Sequence, residues 1–406
     1  MHELKTPQST GKKRLYILLS GVFLLAAFCG GRALLHWRAD QIEQKFFTAA
    51  VEAREAEDWE LLREISERWV SLNSDSGTAW LALSDSCQNL GDLENAQSAL
   101  GKIASTDPHY LEARALRGDL LYLYLKRPLE AESNWREMLE IDSTSAEAYQ
   151  GLISFYALSV QRQKMMEAIR DAITKGCEPP ESYVYLILAD RLSFGTGKFQ
   201  IDEWLEKEPG NEILEVAYAY YAARHNDSST QGVQRTNSLY LGNWSKIEAL
   251  ISRYPENLNV LAFQIESALI DGKTSVAIDL LNQLPNEAAE DFRFWRFRAR
   301  ALLESGDAEE AIHAARTSLQ MNPYDWRSRV ILAETFRILQ QPENARLEAE
   351  LGATGKALEK TLLSLQNPLD FWEMDLRGVY EYVQTVGELP IVEALRRNAS
   401  LLTTEK

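Results

Sequence analysis

Little in this 406-residue chain is equipped for chemistry. Its three cysteines, Cys29, Cys87 and Cys177, form no CxxC pair, so neither a zinc ribbon nor a redox motif is spelled out. Its five histidines, His2, His36, His109, His225 and His313, have no partner at metal-ligand spacing. Two Gly-Lys stretches, Gly195 to Lys198 and Gly352 to Lys356, lack the rest of a phosphate-binding loop. Leu192, Phe199, Glu350 and Ala357 stand where Gly and Ser or Thr are needed. Positive charge is scarce as well: the formal net charge is −17, which argues against general attraction to nucleic-acid phosphates. Glycine and proline account for only 33 of 406 residues, which fits an ordered helical chain better than a disordered one. No alternating apolar run is long enough to argue for a sheet. From these absences no catalytic residue, metal ligand or cofactor is assigned, and the expectation is a non-enzyme.

What is present is a spacing. Trp80, Gly91, Ala96 and Pro108 recur with the same separations as Trp295, Gly306, Ala311 and Pro323. An aromatic residue opens one amphipathic segment, a Gly-Asp turn follows, and a small residue sits early in a second segment. Glycine ends the first helix, and the small side chain lets the second approach it closely. Ala277 and Ala345 fall at the same small position in neighbouring copies. The pattern resembles the tetratricopeptide repeat, a helical hairpin of about 34 residues. The resemblance implies an all-α fold, a right-handed α-solenoid of such hairpins, and a role in binding protein or peptide rather than in catalysis.

Registering on these positions starts units near 77, 111, 258, 292 and 326, with degenerate ones near 146, 180 and 211 and another upstream from Gln44 to Asn73, where Leu62 replaces the small residue. About nine hairpins result. Between 111 and 258 the chain is longer than four periods by roughly eleven residues, a surplus placed in the polar stretch after His225. The expected organisation is a basic tail (1–14), a membrane helix (15–35), an N-terminal array (41–225), an inserted polar loop (226–240), a C-terminal array (241–355) and a helical cap (356–406).

Residues 15–31 carry no charge, and the run reaches Leu35 if Arg32 lies at the interface. At 1.5 Å per residue this covers roughly 26 to 31 Å, enough to span the hydrocarbon of a bilayer. An uncleaved anchor is favoured over a secretory signal peptide, because the apolar run is long and no clean cleavage site follows. It is favoured over a lipoprotein because Phe28 precedes Cys29. Lys5, Lys12, Lys13 and Arg14 lead the segment, which favours an amino terminus inside and a repeat region outside the cytoplasm.

Charge is uneven within the repeats. The segment from Asp291 to Arg300 alternates arginines with aromatic residues, and Arg293, Arg296 and Arg300 share one helical face. Arg327 and Arg337 occupy comparable positions in the next unit. In the family that these repeats resemble, first helices line the concave groove, so these five arginines form a candidate site for an acidic segment or a terminal carboxylate. The alternative is internal neutralisation by Glu304, Glu309, Glu310 or Glu334. Trp80, Trp295, Phe336, Tyr149 and Tyr156 are expected to pack in the core, whereas Tyr122, Tyr124 and Tyr240 are the candidate exposed aromatics.

The function expected is a membrane-anchored scaffold for protein–protein interaction, in an envelope assembly or secretion complex. An accessory subunit or cryptic enzyme of a membrane pathway is the alternative. Single-stranded nucleic-acid binding through the arginine–aromatic segment ranks below both, and no nucleic acid is expected as partner.

Overall fold

The computed structural model describes residues 41–192, 197–225, 245–365 and 367–404. The membrane segment 15–35 and the polar insertion 226–240 therefore lie outside the described residues. Among the described residues there is no strand, and no helix is long and apolar enough to cross a membrane.

The chain runs as helical hairpins. They are α1 (41–55) with α2 (Trp59–Leu72), α3 (Gly77–Asn89) with α4 (Leu93–Gly101), α5 (Tyr110–Asp119) with α6 (Pro128–Ile141), and α7 (Ala146–Leu158) with α8 (Arg162–Lys175). A short α9 (Ser182–Ile187) and α10 (Gly197–Lys207) follow, then α11 (Glu212–His225) and α12 (Ser245–Glu248). The regular pattern resumes with α13 (Leu258–Ile270) and α14 (Thr274–Asn282), α15 (Phe292–Ser305) and α16 (Ala308–Met321), and α17 (Trp326–Ile338) and α18 (Pro342–Leu362). A last pair, α19 (Arg377–Thr385) and α20 (Leu389–Thr404), closes the chain.

Seven hairpins turn the same way. One or two residues past the first helix, a residue adopts a left-handed backbone, which is glycine at Gly91, Gly272 and Gly306 but Glu57, Lys126, Val160 and Gln340 elsewhere. Its successor then donates back across the turn, as Asp92 to the Cys87 carbonyl at 2.8 Å and Asp307 to Leu302 at 2.9 Å. Such a bond reaches five residues back and satisfies a carbonyl that the helix end would leave orphaned. From Gly91 to Lys126 the step is 35 residues instead of 34, and the extra residue is absorbed by a π-helical segment at Leu120–Tyr124. There the Arg127 amide reaches six residues back, to Leu121.

Small residues lie where the helices meet. Ala96, Ala277 and Ala311 are fully buried and Ala345 almost so. At the equivalent positions Ala131 is small, but Leu62 and Met165 are large and equally buried. The position therefore demands burial more strictly than size. Trp80 and Trp295 are partly buried, each against the core cluster of its own hairpins, and each indole N–H donates to a backbone carbonyl six residues before it.

The contacts divide the chain into two compact units, one ending at Leu120 and the other running from Leu121. The boundary falls at the π-helical segment, inside the third hairpin. Within the second unit, the cap does more than cover the last repeat. Trp372 donates to the Pro180 carbonyl at 3.2 Å, the Phe371 ring stacks on Tyr183 with 6.3 Å between centroids, and Arg397 reaches Glu178 at 2.6 Å. The chain was expected to leave the array after Gly355, yet α18 runs through to Leu362. Gly355 is a point of close approach: a Cβ there would meet the Tyr382 hydroxyl and the Trp326 side chain.

Candidate functional site

The arginine stripe occupies helical positions as expected, but its face is not open. Arg293 and Arg296 are only 7% and 4% exposed. Arg293 folds onto Asp291, the N-cap of its own helix, at 2.6 Å, and donates to Asn259 Oδ1 at 3.1 Å. Arg296 bridges two carboxylates, donating from Nη1 to Asp325 Oδ1 at 2.9 Å and from Nη2 to Asp190 Oδ1 at 3.0 Å. Arg327 places Nη1 3.0 Å from both Asp190 Oδ2 and Glu359 Oε2. Arg300, half-buried, pairs with Glu334 at 2.6 Å. The groove reading is thus corrected for Arg293 and Arg296. Helical periodicity places them on a common face, and that face is filled by carboxylates of the same chain.

The partners differ from those anticipated. Of the four glutamates nominated, only Glu334 takes one of the five arginines. Glu304 instead accepts from Thr274 at 2.6 Å, and Glu309 and Glu310 lie exposed in the first turn of α16. The central acid, Asp190, sits in the 3₁₀ turn Ala189–Arg191 that follows α9, more than a hundred residues before Arg296. Nothing local in the sequence marks it.

Charge balance explains how so much ionised material stays inside. Burial pushes the Asp190 carboxyl up, but the Arg296 and Arg327 guanidiniums outweigh it and hold it well below the usual carboxylate range. Burial acts the same way on Asp291, and Arg293 again prevails. Asp190, Asp325 and Glu266 raise Arg296 against a desolvation that would lower it. The remaining lone pairs of Asp325 are met by the Ser328 hydroxyl at 2.6 Å and the Ser318 hydroxyl at 3.3 Å. A buried cluster of this kind adds little net stability over apolar packing, but losing one member leaves another charge uncompensated.

Of the five arginines, Arg337 is the one exposed. It borders a shallow cleft with Pro342, Ala345, Arg346, Ala349, Glu350 and Ala353. The aromatic expectations divide likewise. Tyr124 is exposed, but Tyr122 is buried between Trp135 and Trp204, and burial raises its hydroxyl far above its ordinary value. Tyr240 lies outside the described residues. Phe336, Tyr149 and Tyr156 are core residues.

The first unit carries a different feature. Its helices α1, α3 and α5 border an open cleft of about 690 Å³. Its apolar lining includes Phe47 and Leu116, which are 46% and 39% exposed, with Val51 and Leu81. Its rim is polar: Arg54 meets Asp85 at 2.7 Å, and His109 lies 3.1 Å from Glu112 and 3.3 Å from the Thr78 hydroxyl. This site was not anticipated, because its residues are ordinary and carry no charge run. Only the spacing of Phe47, Leu81 and Leu116 by about one repeat each hints that three helices present them together. Among the described residues, no group of three or more His, Cys, Asp or Glu is arranged to hold a metal.

A model of the tetratricopeptide repeat family matches residues 77–110, the hairpin of α3 and α4. No curated protein matches the chain in sequence. Among solved structures it is similar to the Cut9–Hcn1 hetero-tetramer of the APC/C, with 14% identity over 89% of this chain and 79% of that one and a TM-score of 0.33. A tetratricopeptide repeat protein from Parabacteroides merdae shares 14% identity over 64% of this chain and 98% of that one, at a TM-score of 0.29. Yeast Tom70 shares 13% over 89% and 91%, at 0.26. Likenesses of this size say nothing about this chain's partners.

Proposed function

We propose that this tetratricopeptide-repeat chain is a non-catalytic scaffold that binds a protein segment in the open cleft of its first unit. The observation that carries the reading is the cleft itself: three successive first helices leave Phe47 and Leu116 uncovered beside a polar rim. An apolar floor supplies affinity to a bound segment, and the Arg54, Asp85, His109 and Glu112 rim fixes its register through polar contacts. Residues 15–35 tether the scaffold to a membrane, with the amino terminus inside and the repeats outside the cytoplasm, in an envelope assembly or secretion complex. No cofactor enters this function, and the bound partner is protein rather than nucleic acid.

The test is a photoreactive residue at position 47 or 116 in intact membranes, with position 72 as control, since Leu72 is exposed and does not border the cleft. The same partner adduct is expected from both cleft positions and not from the control, and Leu81→Glu should abolish it. Equal labelling from all three positions refutes the reading. An enzymatic tag at the carboxyl terminus, active only outside the cytoplasm, checks the topology.

A further inference from the structure

The first hairpin leaves apolar side chains uncovered at one end. Antiparallel packing brings the start of α1 beside the end of α2, where Glu43 accepts from Asn73 Nδ2 at 3.0 Å and from the Ser76 hydroxyl. Ile42 and Leu72, the sequence neighbours of Glu43 and Asn73, are 48% and 68% exposed, and neither borders the cleft on α1, α3 and α5. A single exposed apolar residue needs no explanation, but this pair stands where the chain arrives from the apolar run that ends at Leu35. Only residues 36–40 separate that run from α1, and so short a stretch reaches at most about 20 Å when fully extended. A tether ending at Leu35 therefore keeps this end of the hairpin close to the bilayer. Charge does not account for the exposure. Lys45 and Arg68 are exposed there, but Arg68 pairs with Glu64 at 2.6 Å, and Glu43 and Asp75 lie alongside.

We propose that the Ile42 and Leu72 end of the first hairpin is a lipid-contact surface, whose two side chains insert into the interfacial layer of the bilayer and hold the first unit against it. The proposal rests on the membrane tether proposed above and is independent of what binds the cleft. Apolar transfer supplies the attraction, because this end carries no net positive charge to draw in anionic headgroups. Two side chains of this size would hold an untethered protein only weakly and reversibly. The tether makes the contact intramolecular, at an effective concentration of about millimolar for a short linker, so a weak contact becomes a lasting one. Docking also sets where the cleft opens. Phe47 lies five residues beyond Ile42, about 8 Å further along α1, so a segment bound there is held near the membrane surface.

The full chain is reconstituted into phosphatidylcholine vesicles with a photoreactive residue at position 42, 72 or 61, and adducts are identified by mass spectrometry. Leu61 is the control: it is 43% exposed, shares a face of α2 with Leu72, and lies eleven residues, about 16 Å, away along that helix. Phospholipid adducts are expected at positions 42 and 72, at least about fivefold more abundant than at 61. Leu72→Glu should cut the adduct at position 42 at least about fivefold, since it removes half of the inserted apolar surface and adds a charge. Equal labelling at 61 and 72, or no phospholipid at 42 and 72, overturns the proposal. So does a yield that rises when phosphatidylglycerol is added, which would mark the contact as electrostatic. Carbonate extraction reads the tether separately. A chain that stays in the vesicle pellet but is unlabelled at 42 and 72 refutes the lipid contact alone, whereas release of the chain refutes the tether and the contact with it.

Discussion

Replacing Arg296 by Met removes the most connected member of the buried network while filling most of its volume. The guanidinium is shared between Asp325 at 2.9 Å and Asp190 at 3.0 Å, so two charge-assisted hydrogen bonds disappear together. At about 1.5–3 kcal/mol each they amount to about 3–6 kcal/mol, and removing one partner of a buried ion pair independently suggests about 3–5 kcal/mol. Asp190 keeps Arg327, and Asp325 keeps the Ser318 and Ser328 hydroxyls, which places the loss toward the lower end, at about 3–4 kcal/mol. At about 2–4 °C per kcal/mol, the midpoint falls by about 6–16 °C. The pH dependence has a definite sign. A carboxyl depressed in the folded state contributes stability above its unfolded pKa, near 3.9, and that contribution is lost as pH falls through the folded value. In the variant the depression of Asp190 is relaxed, so the penalty is full near pH 7 and shrinks only as pH falls below the ordinary carboxylate value, near 3.9. Urea denaturation followed by tryptophan fluorescence at pH 7 and about pH 2.5 measures this, and hydrogen exchange in α15 and α17 assigns the loss to the second unit. A loss under about 1 kcal/mol at pH 7, or an equal loss at both pH values, refutes the reasoning.

The left-handed turns give a stabilising counterpart. Gln340 is exposed in a conformation that costs a side chain about 1–2 kcal/mol, so Gln340→Gly should raise stability by up to about 1 kcal/mol in urea melts. Gly306→Ala at the equivalent turn should lower it by about 1–2 kcal/mol. Leu62→Ala should cost about 2–5 kcal/mol despite introducing the residue typical of the position, because Leu62 fills a buried volume that the neighbouring helices would leave as a cavity. Gly355→Ala should cost about 1–3 kcal/mol by driving the new methyl into Tyr382 and Trp326, and Tyr382→Phe should recover part of it in the double variant.

Much of the fold is legible in the chain because packing repeats itself. Gly91 and Gly306 mark turns that demand a left-handed residue, and Ala96 and Ala311 mark the close approach of two helices. The period carries those assignments through hairpins whose own residues are poor matches, such as Leu62 in α2. Where the demand is met by an unusual residue, the signal fades. Val160 and Lys126 take the same backbone conformation as Gly91, yet neither looks like a turn former. Gly355 misleads in the opposite direction, since glycine reads as a helix end when its role is to admit the Tyr382 hydroxyl.

The candidate site was legible only in part, for a physical reason. Periodicity says which residues share a face of α15, but not what covers that face. Arg293, Arg296 and Arg300 do align, and of the four glutamates named together as the internal alternative, one, Glu334, pairs with Arg300. Asp190, Asp325 and Glu359 came from turns and helices whose approach depends on how successive hairpins rotate, and that rotation is not encoded at any one position. The cleft on α1, α3 and α5 escaped notice because exposed Phe47 and Leu116 are unremarkable singly and become a surface only when stacked repeats bring them together.

Arginine-specific labelling of the folded chain with phenylglyoxal, read by mass spectrometry, tests most directly whether the stripe is held inside by its own carboxylates. Arg337 and Arg346, which border an open cleft, should react quickly, whereas Arg293 and Arg296 should stay unmodified until the second unit unfolds. Reaction of Arg293 and Arg296 at the same rate as Arg337 in the native protein would contradict the internal pairing and return the stripe to an open face.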